Sequence, residues 1–94
     1  GTLKDRTGAA LNKRAYVRIY KADKTDEPIG YDYVSSYDDG KYEFKSIPNG
    51  TYVIKAFDDE SDKELATSGT ITVTGTNVVV DFPNLPIDNE PSYN

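Results

Sequence analysis

An all-β sandwich is the fold class this sequence predicts, and three observations predict it. Short runs rich in Val, Ile, Tyr and Phe alternate apolar and polar residues with period two, clusters of Gly, Pro, Asn and Asp separate them, and no stretch holds a helical period over three turns. A chain of 94 residues is the size of one ordinary domain with one modest core.

The strand candidates follow in order. In Ala15 to Lys21, Ala15, Val17 and Ile19 share one face, and Tyr16, Arg18 and Tyr20 share the other. The first face is the core candidate. The run Ile29 to Tyr37 ends in Asp38-Asp39-Gly40, where Gly takes positive φ at little cost, so Lys41 to Phe44 is expected to return as its hairpin partner. Tyr42 and Phe44 then face inward.

Pro48-Asn49-Gly50 reads as a second turn built on a left-handed Asn-Gly step, after which Thr51 to Phe57 places Tyr52, Ile54 and Ala56 inward. An acidic loop, Asp58 to Glu64, precedes Ile71 and Val73. A turn at Gly75-Thr76 leads to Val78, Val80 and Phe82 in one phase, and Pro83 and Pro86 end the ladder. Residues 1–86 therefore read as a single domain. Residues 87–94, with little to bury, read as a tail or interdomain linker.

Composition removes whole classes of chemistry. With no Cys there is no disulfide, thiol nucleophile or thiolate metal site, and with no His the usual general base and most zinc sites go as well. An enzyme is not expected. A net charge of −5 opposes nucleic acid and anionic membrane surfaces, and no apolar run is long enough to span a bilayer. A start at Gly1 rather than Met reads as a mature fragment of a longer chain.

Three sets of residues are candidate sites. Asp58, Asp59 and Asp62 are the carboxylates to which calcium would bind, although the spacing is not that of an EF-hand and the alternative is a solvated loop without a cofactor. Tyr16, Tyr20, Tyr31, Tyr33 and Tyr37 could present rings to a sugar, with Tyr31 and Tyr33 the leading pair. The competing reading is a half-buried sheet with rings inside and hydroxyls wet. Asn49-Gly50-Thr51 fits a glycosylation acceptor but is explained by its turn.

Two blocks carry a family resemblance. The first runs from Asp5-Arg6-Thr7-Gly8 through Leu11 to Ala15-Tyr16-Val17. The second joins Asp38-Asp39-Gly40-Lys41-Tyr42-Glu43-Phe44 to Ile47-Pro48-Asn49-Gly50-Thr51-Tyr52. Together, in this order, they resemble the carboxypeptidase regulatory-like domains and the related Cna B-type repeats of bacterial surface proteins. The resemblance covers residues 1–82 and implies a seven-stranded Greek-key sandwich, immunoglobulin-like or prealbumin-like.

In the Cna B-type branch the resemblance also implies a Lys-to-Asn or Lys-to-Asp isopeptide bond beside a buried acid. Lys4 with Asp81 or Asn84 would be its ends, but Ala56 stands where that branch often has Glu, so the bond is not expected and the regulatory-like branch fits better. The expected role is a spacer, stalk or adhesion module of a secreted or cell-surface bacterial protein, extracellular or periplasmic. Its partners would be neighbouring domains of the same polypeptide or a surface protein, with glycan as the alternative.

Overall fold

In this computed structural model, which describes residues 1–80 and 82–91, the centre of the sheet is strand β1, Ala15–Lys21. Its Val17 and Ile19 point into the core, and it is hydrogen-bonded on both sides: to β2 (Gly30–Val34) and to β3 (Gly50–Asp58), both antiparallel. Beyond β3 lie β4 (Glu64–Thr67) and β5 (Ile71–Val73), which share one edge of β3 along its length. The order is β2-β1-β3-β4, with β5 also on β3.

The jog between β4 and β5 is bridged by a side chain. Ser68 N–H donates to Ile54 O, and Ser68 Oγ accepts from Ile54 N–H, each at 2.8 Å. The buried hydroxyl thus replaces a backbone acceptor that the ladder lacks at this point.

The inner face of the sheet carries Ala15, Val17, Ile19, Val34, Tyr52, Ile54, Ala56 and Ile71, all buried. Irregular segments cover it, contributing Leu3, Leu11, Tyr42, Phe82 and Leu85 to the same core. Leu3 N–H donates to Gly40 O at 2.7 Å and Leu11 N–H to Leu3 O at 3.0 Å, so this layer has hydrogen bonds but only isolated bridges.

Five strands form among the described residues, where seven in a Greek key were expected. Lys41 to Phe44 does not pair with β2 as a hairpin. The Asp38–Lys41 turn does form, with positive φ at both Asp39 (53°) and Gly40 (75°), but it carries the chain across to the other layer. There Tyr42 N–H donates to Gly1 O, and Thr2 bridges Lys41. Gly40 is fixed twice over, because a Cβ on it would sit 2.2 Å from Leu3 O.

Val78 to Val80 and Phe82 are likewise outside any strand, although Phe82 is buried and Val80 half-buried in the expected phase. At Ile47-Pro48-Asn49-Gly50 the left-handed residue is Ser46 (φ 58°), not Asn49. Tyr52 Oη donates to Pro48 O at 2.6 Å and anchors that corner.

The Asp5-Arg6-Thr7-Gly8 block forms a tight loop around a buried carboxylate. Asp5 Oδ1 accepts from Thr7 Oγ1 (2.6 Å), Thr7 N–H (2.9 Å) and Ala9 N–H (3.1 Å), while Gly8 turns the chain at φ 90°. The Thr7 hydroxyl, with these amides, holds the Asp5 carboxyl below its ordinary pKa.

The chain stays docked past Pro86. Leu85, fully buried, donates to Lys4 O, and Ile87 O accepts from Arg6 N–H. Asn12 and Asn89 then exchange bonds with neighbouring backbone as far as Glu90.

Candidate functional site: the outer face of the sheet

The second face of β1 is not solvated. Tyr16 and Tyr20 are buried, although alternation alone placed them outward, because the sheet's outer face supports a row of rings. Register puts Tyr33 of β2 opposite Tyr16 and Tyr16 opposite Phe57 of β3. Tyr16 stacks on Phe57 with centroids 5.1 Å apart and planes 12° apart, and Tyr33 tilts against Tyr16 at 6.0 Å. Cross-strand aromatic pairs of this kind stabilise a sheet beyond their buried area.

The next row is Tyr31 opposite Arg18 opposite Lys55. The Arg18 guanidinium carbon lies 5.1 Å from the Tyr16 ring centre and 4.9 Å from that of Phe57, within cation–π range of both. Lys55 lies 5.4 Å from the Tyr20 ring centre and is paired with Glu64 at 3.2 Å.

Tyr31 and Tyr33 therefore sit on edge strand β2, two positions apart on the same face, 67% and 62% exposed. Their rings meet edge to face, 5.8 Å apart at 89°. Tyr37 is 93% exposed in the turn after β2. Of the five tyrosines considered for a sugar platform, Tyr16 and Tyr20 are thus floor rather than surface, and Tyr31 and Tyr33 remain open.

The acidic loop is organised differently from a metal cage. Asp58 Oδ1 accepts from Glu60 N–H (2.8 Å) and Ser61 N–H (3.4 Å), closing the β3–β4 turn on itself. Asp62 accepts from Tyr16 Oη at 2.7 Å, across the sheet's outer face. Burial, followed by this bond to Asp62, raises the Tyr16 pKa. Among the described residues, no three carboxylates converge where a metal ion could sit, so Asp58, Asp59 and Asp62 are not brought together as calcium ligands.

Of the isopeptide ends, Lys4 and Asn84 lie on neighbouring segments, since Lys4 O accepts from Leu85 N–H. Lys4 is half-buried and bridges Ala10; Asn84 is exposed; Asp81 lies outside the described residues. Ala56 is fully buried on the inner face, against Val17 and Ala66. No acid stands there.

One feature had no sequence signal. A pocket of ≈ 520 Å³ opens between the sheet (Ile19, Ile54, Ile71) and the irregular runs that carry Tyr42, Phe44 and Val80. Tyr42 Oη is buried without a hydrogen-bond partner among the described residues, and burial pushes its pKa up to about 12.

Comparison with protein-family models, with curated proteins and with solved structures finds no match for this chain. No helix among the described residues is long and apolar enough to cross a membrane.

Proposed function

We propose that this chain is a non-catalytic interaction module of a larger secreted or cell-surface protein, extracellular or periplasmic, and that the outer face of its sheet is the contact surface. The observation that carries this reading is the open Tyr31–Tyr33 pair on an edge strand, above a floor of rings that holds it in place. Large exposed rings on a rigid element lose little conformational entropy when a partner covers them.

The same observation favours carbohydrate as the ligand, because the apolar face of a pyranose packs against Tyr faces while its hydroxyls stay wet. Neighbouring domains of the same polypeptide are the alternative partners. We propose further that the chain is a carboxypeptidase regulatory-like or Cna B-type module, in which Lys41 to Phe44 and the run carrying Val78, Val80 and Phe82 would be the strands that complete a seven-stranded Greek key. It is supported by the Asp5–Gly8 loop and the Asp38–Lys41 turn, where the motif residues take the conformations their chemistry favours.

Affinity electrophoresis tests the ligand class. The wild-type domain is expected to be retarded in at least one polysaccharide gel, and a Tyr31→Ala/Tyr33→Ala variant to migrate freely. Free migration of the wild type in every gel would overturn carbohydrate binding and leave the domain-contact role.

A further inference from the structure

Arg18 is a cation of the outer face that no carboxylate neutralises among the described residues. The other cation there, Lys55, is paired with Glu64, and the carboxylate of Asp62 accepts from Tyr16. Arg18 takes part in none of the ion pairs among the described residues, and its guanidinium donates no hydrogen bond to any of them.

It is nevertheless held in place. Strand β1 is the sheet's centre, and the guanidinium rests over Tyr16 and Phe57, so a planar group with five N–H donors is pre-positioned without a partner. Register sets it directly opposite Tyr31 and diagonal to Tyr33, the two open rings. The half-buried fork thus lies over Tyr16 and Phe57 with no ion-pair partner, on the residue whose register partner is the open Tyr31 and beside the ring, Tyr16, against which Tyr33 tilts.

We propose that this face binds carboxylate-bearing saccharides, the uronic-acid units of an acidic polysaccharide, with a pyranose ring against Tyr31 or Tyr33 and its carboxylate on Arg18. The proposal rests on the carbohydrate reading above and narrows it. Arg pairs with a planar carboxylate through two parallel N–H···O bonds, which a point charge cannot reproduce. A chain of net charge −5 repels polyanions at long range, so binding to one reports the local site rather than the overall field.

The test is affinity electrophoresis with EDTA present, in gels containing polygalacturonate or alginate, a neutral galactan or mannan, dextran sulfate, or poly-glutamate. The expected result is retardation by polygalacturonate or alginate alone, weakened about tenfold in Arg18→Lys, which keeps the charge but loses the fork. Thermal melting of the same samples checks that Arg18→Lys and Tyr31→Ala are folded. Equal retardation by neutral galactan or mannan would overturn the carboxylate assignment while the carbohydrate reading stands. Equal retardation by dextran sulfate or poly-glutamate would overturn it in favour of unselective charge or of an acidic peptide. Free migration in every gel would remove the carbohydrate reading and this proposal with it.

Discussion

The two faces of one sheet are built from the same strands yet do different work. On the inner face, Val17, Ile19, Ile54 and Ala56 are at most 4% exposed and meet an irregular layer with Leu3, Leu11 and Leu85 at 0%. On the outer face the corresponding positions carry Tyr16, Arg18, Tyr31, Tyr33, Lys55 and Phe57, graded from buried in the middle to open at the β2 edge. Aliphatic burial against a second layer gives stability. An aromatic and cationic row without a covering layer leaves the rings of Tyr31 and Tyr33 open to solvent.

If that division is right, damage to the inner side should dominate stability. Leu11→Ala, at a fully buried site, is expected to cost about 2–5 kcal/mol in urea unfolding, through lost transfer energy and a residual cavity. A smaller loss would mean that the irregular layer collapses around the gap. Ser68→Ala should cost about 1–3 kcal/mol, because it strands Ile54 N–H in the interior of the sheet. Hydrogen exchange at the Ile54 amide would accelerate in the same variant.

A smaller effect sharpens the comparison at the pocket. The unfolded chain ionises its tyrosines near pH 10, whereas folded Tyr42 keeps its proton up to about 12. The folded state therefore binds more protons in that window, and stability, fully present below pH 10, falls as pH rises from about 10 to about 12. Tyr16, raised in the same direction, adds to the fall. Tyr42→Phe should retain more of its stability across this range, as read by urea midpoints at pH 9 and pH 11.5.

What could be read from the residues was mainly local. Period-two alternation located β1 and β3 and their inner faces, and Asp38-Asp39-Gly40 announced a turn with Gly40 at positive φ, which it is, although Asp39 is left-handed as well. Alternation was not informative about the outer face, since Tyr16 is covered by Phe57, its register partner on β3, and by Arg18 along its own strand, while Lys55 of β3 lies over Tyr20. Nor could it foresee that Lys41 to Phe44 would leave the sheet, because Gly40 packs against Leu3, and that contact lies 37 positions away in the chain. Tyr31 and Tyr33 were legible as ring-bearing residues on one face. Arg18 as their companion was not, because its value depends on what it lacks in the folded chain.

The most direct test of the division between the faces is the urea unfolding of Tyr31→Ala measured beside Leu11→Ala. The account predicts that Tyr31→Ala stays within about 1 kcal/mol of wild type, the size of one exposed aromatic pair. A loss as large as that of Leu11→Ala would contradict it, and would make the outer ring row part of the core rather than a surface held ready for a partner.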